Sequence, residues 1–188
     1  LKSASLSQAR VMSVISWQNK NTAAAIWDID DIDDWSMGYF IGEDAQKLLI
    51  EPANTPSGTE VIWRKTDRLV QDIGHELFHE SLTQVVAQAR DQLSLIYHRY
   101  LSGQGGNAVS ISVNNTNLQA KDPFMRSHPA TQTLDSEKIE MSGGSTIVVK
   151  PYILPHFSKL TQEEQSKLGG AEGMVRNQGF YVYRNRRL

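Results

Sequence analysis

The sequence predicts an α/β fold of the α+β kind: short antiparallel strands, one long helix, then more short strands. Three observations predict it. Residues 11–17, VMSVISW, alternate in character, and after the turn NKNT the stretch AAAIWDI resumes as a strand, so 11–29 reads as a hairpin. Residues 69–101 carry Leu77, Phe78, Leu82, Val85, Val86, Ala89, Leu93, Ile96, Tyr97 and Tyr100 at three- and four-residue spacing, the period of an amphipathic helix. Beyond that helix, β-prone segments recur between turn residues.

Taken in order, KSASLSQAR (2–10) has the small residues and serines of a helix N-terminus. DIDDIDDW follows the hairpin as an acidic edge, and QKLLI (46–50) reads as a short strand. EPANTPSG, with two prolines and a glycine, is the clearest break in the chain. TEVIWRKTD (59–67) is the next strand. The helix over 69–101 stops at SGQGGN, after which ISVN (111–114) and the residues following NNTN form a hairpin-like pair. KDPF is a turn. TIVVKPYIL is a strand that Pro151 pushes toward a sheet edge or bulge. LTQEEQSKL is a short helix with Thr161 as N-cap and Glu164 three residues on. GFYVYRNRRL closes the chain as a strand with a turn near Arg184-Asn185.

Composition bounds the function. A chain of 188 residues suits one domain or two small ones, and 39% hydrophobic residues can fill a core. The net charge of −2 supplies no electrostatic reason to expect nucleic acid or an anionic membrane. The lack of cysteine excludes disulfides, Cys-zinc sites and thiol catalysis, and it fits a reducing cytoplasm. No apolar stretch approaches membrane-span length and no signal peptide is visible. The first residue is Leu1, which suggests a piece of a longer chain.

Two acidic or histidine motifs invite a metal. His75-Glu76-Leu77-Phe78-His79 matches H-E-x-x-H: on a helix the two imidazoles share a face, and Glu76 would serve as general base for a zinc-bound water. A catalytic zinc needs a third protein ligand. The extended metzincin pattern fails, because Leu82 and Val85 stand where Gly and His are required. His98 lies on the same expected helix, roughly 28 Å along the axis from His79, and reaches the metal only if the helix breaks. The competing view makes His75, Glu76, His79 and Glu80 the solvated side of a helix whose buried side is Leu77, Phe78 and Leu82. In the acidic edge, Asp28, Asp30, Asp31, Asp33 and Asp34 fail as a calcium loop, since Ile32, Asp33 and Tyr39 fall at positions 5, 6 and 12. They read as a solvated edge that discourages strand pairing.

Two cationic motifs remain. Arg184, Arg186 and Arg187 cluster as phosphate-binding arginines do, or as an ordinary charged turn. In KSAS, Lys2 adds a charge and Ser3 and Ser5 add hydroxyls to a helix N-terminus, where backbone N–H groups attract anions.

Several stretches, in order, resemble one family. LKSASLSQAR resembles the end of the glycine-rich ATP lid of the GHKL superfamily, which includes gyrase B, heat-shock-protein-90, MutL and MORC ATPases. AAAIWDID is similar to the next hairpin of that ATPase sheet. GTEVIWRKTDRL (58–69) resembles the start of the second, transducer-like domain. LSLIYHRYL (93–101) with ISVNNTNLQAKDPF (111–124) looks like that domain's helix and its "I-x-I-N-G … DPF" hairpin, with Asn115 and Thr116 where a glycine is usual. QGFYVYRNRRL (178–188) resembles the "GFYVYRNRRLI" strand of bacterial, MORC-like ATP-binding proteins.

The resemblance implies remnant strands of a GHKL ATPase sheet over 1–52, a boundary near Pro52–Gly58, and over 58–188 a ribosomal protein S5 domain 2-like transducer domain with one long helix packed on a mixed sheet. It implies that Lys2, Ser3 and Ser5 approach phosphate, and that the full parent uses ATP and Mg. The Mg-binding Asn, the catalytic Glu and the adenine-contacting Asp loop have no counterpart here. The chain is therefore expected to couple nucleotide state to a partner or dimer interface without hydrolysing ATP itself. Homodimerisation through the parent, an unknown protein or DNA partner, a cytoplasmic setting and no membrane follow from the same resemblance. A zinc metallopeptidase using HELFH and a non-enzymatic α/β interaction module are the alternatives.

Overall fold

The computed structural model describes residues 2–31, 36–66 and 75–188, without the side chains of Lys2, Ser3 and residues 75–78. The fold is mixed α and β, and the chain divides into two compact units between Thr83 and Gln84.

The first unit opens with α1 (Lys2–Leu6), then β1 (Val11–Gln18), β2 (Asn21–Asp28), β3 (Gly38–Ile41), α2 (Gly42–Gln46) and β4 (Ser57–Arg64). The strands form one antiparallel sheet in the order β3-β2-β1-β4. The expected hairpin is present, with Gln18 opposite Asn21. Its turn places Asn19 at φ 55, a left-handed conformation that asparagine tolerates. Strand pleating sorts the side chains. On one face Ile15, Ala24 and Ile62 bury with Ala45 of α2, bordered by Leu48 and Leu49. On the other, Met12 is buried, while Tyr39, Ile41, Val61 and Trp63 are exposed.

Residues 46–50 do not form the expected strand. Gln46 ends α2, and the N–H groups of Lys47, Leu48 and Leu49 donate back to the carbonyls of Glu43, Ala45 and Gln46. Packing decides the matter: helical turns carry Ala45, Leu48 and Leu49 to the same apolar cluster, whereas a strand would send successive residues to opposite faces.

β4 pairs along the whole of β1, so the Pro/Gly-rich stretch before it connects two strands of a single sheet. The compact units divide after Thr83. β4 satisfies an edge of β1 and supplies Ile62 to the core of the first unit.

The acidic edge is only partly as expected. Asp28 and Asp30 accept hydrogen bonds from Lys65 Nζ at 3.0 and 3.1 Å, and Asp30 also accepts from Arg10 at 2.6 Å. The ends of β2 and β4 and the start of β1 are thus clipped together. The Asp30 backbone N–H, then Lys65, holds the Asp28 carboxyl below its ordinary range; Lys65, then Arg10, does so for Asp30. Asp33 and Asp34 lie outside the described residues.

Helix α3 (His75–Ile96) contributes residues to both units. The second unit continues with α4 (His98–Leu101), β5 (Ser112–Val113), β6 (Thr116–Asn117), β7 (Gln132–Thr133), β8 (Glu137–Glu140), β9 (Thr146–Val149), β10 (Tyr152–Ile153), a 3₁₀ turn (Phe157–Lys159), α5 (Gln162–Lys167) and α6 (Gly170–Arg176). β5–β6, β8–β9 and β7–β10 are two-stranded antiparallel pairs. Every described strand pair is therefore antiparallel, where a mixed sheet was expected. In the β5–β6 turn, Asn114 and Asn115 adopt φ 50 and 60, so asparagines serve where a glycine is usual.

Three further expectations change in this unit. The long helix is interrupted at Tyr97 (φ −104°, ψ 15°), which separates α3 from α4; its expected first residues, 69–74, lie outside the described residues. TIVVKPYIL splits into β9 and β10 around Lys150-Pro151, since proline has no N–H for a ladder. The closing GFYVYRNRRL is in no ladder over 180–183 among the described residues, and it carries the Arg184–Arg187 bridge around Asn185-Arg186. The Thr161–Glu164 capping box forms as expected. Among the described residues no helix is long and apolar enough to cross a membrane.

Candidate functional site

The break at Tyr97 sets up the best-defined cluster of the second unit. His98, the first residue of α4, is 1% exposed. Its Nδ1 lies 2.7 Å from the Leu95 carbonyl oxygen. A carbonyl only accepts, so Nδ1 carries the proton and Nε2 is the acceptor. Nε2 faces the Tyr183 hydroxyl at 3.5 Å, the outer limit of a hydrogen bond, and Asp122 Oδ1 at 4.0 Å. Burial pushes the His98 pKa below its ordinary value, against the Leu95 bond and Asp122, which raise it. Burial likewise raises the Tyr183 phenol to about 12, so it stays a proton donor.

Asp122 is held by its own loop. Its carboxylate accepts from the backbone N–H of Phe124 and Arg126, and from Arg126 Nε at 2.6 Å. This is the KDPF turn made concrete: an aspartate that closes the turn through its side chain. It presents Phe124, which stacks on Tyr152 with ring centroids 4.4 Å apart and meets Tyr181 edge-on at 5.3 Å.

The C-terminal segment completes the cluster. Tyr183 packs edge-on to His98, and the Arg99 guanidinium lies over the Tyr183 ring at 3.4 Å. Tyr100 donates its hydroxyl to the Asn185 carbonyl, and Arg186 covers the Tyr100 ring at 4.2 Å while donating to the carbonyls of Gln104 and Asn107. Leu188 N–H donates to the Ile96 carbonyl at 3.2 Å. Residues 183–188 are thereby pinned to the end of α3 and to α4. With its histidine buried and its aspartate loop-bound, the cluster clamps three chain segments together.

The residues singled out by sequence fare differently. Ser5 lies in a five-residue helix, 1% exposed, and its Oγ has no hydrogen-bond partner among the described residues. The side chains of Lys2 and Ser3 lie outside the described part, as do those of His75 and Glu76. α3 starts at His75, so His75 and His79 are one helical turn apart, and His79 is exposed. Among the described residues no group of three His, Cys, Asp or Glu side chains could hold a metal. His98, considered as a third ligand, is engaged with Leu95 and Tyr183.

The arginine cluster is divided: Arg186 packs inward, while Arg184 and Arg187 line a cleft of about 500 Å³ with Tyr100, Val182, Asn185 and Leu188. A second cleft, of about 380 Å³, is bordered by Lys121, Lys167 and Arg176. Two of its cations are already engaged, Lys121 with Asp91 and Lys167 with Glu163. Sequence reasoning missed Asp122 and Tyr183 as partners of His98; the alternation of Tyr181 and Tyr183 in FYVY was the available signal. Compared with known proteins, the chain matches no family model, no curated protein and no solved structure.

Proposed function

We propose that the chain is part of a bacterial, MORC-like ATPase of the GHKL superfamily, extending from the end of the ATP lid into a transducer-like domain. Its work is to couple the nucleotide state to a partner or a dimer interface. The observation that carries this reading is a convergence. YHRYL, DPF and FYVYRNRRL are three of the stretches that resemble the family, and they pack on one another through His98, Phe124, Tyr183 and Arg186. A resemblance spread over separate stretches gains weight when those stretches build one cluster. The antiparallel β1–β2 hairpin entered from KSASL fits the ATPase-sheet remnant of the same reading.

On this reading Lys2, Ser3 and Ser5 contribute to phosphate contact in the parent, which uses ATP and Mg in the cytoplasm and works as a homodimer or on a protein or DNA partner. The S5-like identity of the second domain belongs to the same proposal. Calorimetric titration of the 188-residue chain with Mg-ATP is expected to show no micromolar binding. A gene product that carries this chain together with an Asn- and Glu-bearing helix is expected to turn over ATP, and to lose at least about tenfold on Lys2→Ala, the scale of one lost charge-assisted phosphate contact. Micromolar binding by the chain alone, or no turnover by the larger product, would overturn the reading.

A further inference from the structure

From Phe180 to Tyr183 the chain belongs to no helix or ladder, and its side chains alternate in exposure with the period of a strand. Tyr181 and Tyr183 face the cluster: Tyr181 meets Phe124 and donates to the Asn177 carbonyl, and Tyr183 meets His98. Phe180 and Val182 face the other way and are 96% and 78% exposed. Among the described residues, no backbone hydrogen bond joins 180–183 to another strand. A short segment with strand-like alternation, anchored on one face, apolar on the other and without a ladder partner among the described residues, is a template for strand addition. Next to it stand Arg184 and Arg187, which line the cleft beside Val182. Neither has a carboxylate within ion-pair distance among the described residues.

We infer that Phe180–Tyr183 is a docking edge for an extended acidic–apolar segment of another protein. That segment adds as a β-strand, sets apolar side chains against Phe180 and Val182, and places carboxylates on Arg184 and Arg187, whose planar forks suit them. Charge selects this occupant over a second copy of the edge: from Arg176 to Leu188 the chain carries four arginines and no acidic side chain, so two copies would oppose like charges. A single-stranded nucleic acid would use the arginines and the Phe180 ring, but it would leave the strand edge and Val182 unmatched. The inference does not depend on the ATPase reading.

The test is fluorescence anisotropy of the 188-residue chain with a labelled octapeptide of alternating Glu and Val. Saturable binding is expected. It should weaken about tenfold in R184A/R187A, two exposed bidentate contacts, and to a similar degree when alternate peptide amides are N-methylated. The N-methylated peptide changes only the probe, so the strand claim is tested even if the variant misfolds. R184E/R187E should prefer a Lys–Val octapeptide. No binding of the Glu–Val peptide, equal binding of its N-methylated form, tighter binding of oligothymidylate, or self-association abolished by Val182→Asp would each overturn the proposal.

Discussion

His98 shows how one residue sets a pH dependence. It is buried neutral, and burial lowers its pKa below the ordinary value. In the unfolded chain it takes up a proton near pH 6.5, so below that value the unfolded state holds more protons than the folded one. Stability is therefore full above about pH 6.5 and declines as pH falls through and below it. The charged groups around it are Asp122, which opposes the shift, and Arg99 and Arg126, which reinforce it. Urea unfolding is expected to show a midpoint that drops between about pH 7 and 5, with a shallower drop in His98→Asn. Equal slopes for the two proteins would remove His98 from the account. The depressed carboxyls of Asp28, Asp30 and Glu164 act only in a lower window, as pH falls below about 4. None of this was legible at residue 98 itself. The sequence suggested a distant zinc ligand there, whereas burial sets its behaviour, with Asp122 and Tyr183 as long-range neighbours.

At the scale of elements, what was legible is what is local. The capping box needs only residues three apart: Thr161 Oγ1 accepts from Glu164 N–H, and Glu164 accepts from Thr161 N–H. Thr161→Ala is expected to cost about 1 kcal/mol, seen as a lower thermal midpoint and faster amide exchange over α5. The NKNT and NNTN turns were equally readable, because asparagine announces the left-handed backbone at Asn19, Asn114 and Asn115. What failed was decided by distant contacts. Leu48 and Leu49 joined a helical turn because Ile15 and Ile62 waited on one face, and residues 180–183 have no partner strand among the described residues despite their β-prone composition. Gly58 in β4 belongs to this second class. It pairs with Trp17, and a Cβ there would overlap the indole, whose Nε1 donates to the Thr55 carbonyl at 3.0 Å. Gly58→Ala is expected to displace the ring, break that bond and cost about 1–3 kcal/mol. A thermal midpoint unchanged from wild type would show that the indole moves freely.

At the scale of the whole molecule, the mixed α and β class was legible from periodicity alone, and the pairing of β4 with β1 was not. The eye stops at EPANTPSG because proline and glycine punctuate, yet punctuation marks a loop and says nothing of which strands lie on either side of it. Long-range pairing decides that, and β4 returns to β1 across the loop. The consequence is two separate packing centres: Ile15, Ala24, Ala45 and Ile62 in the first unit, and Phe124 with Tyr152, Tyr181 and Tyr183 in the second. Each centre should answer for its own unit. Ile62→Ala removes buried methylenes from the first, at about 2–4 kcal/mol; Phe124→Ala removes a stacked ring from the second, at about 2 kcal/mol. Hydrogen exchange read peptide by peptide should then divide. Ile62→Ala should speed exchange across β1, β2 and β4 and leave β10 and the 181–188 segment near wild type, while Phe124→Ala should do the reverse. If either substitution accelerated both sets of amides equally, the two centres would be one cooperative core, and the break at Thr83–Gln84 would have no energetic meaning.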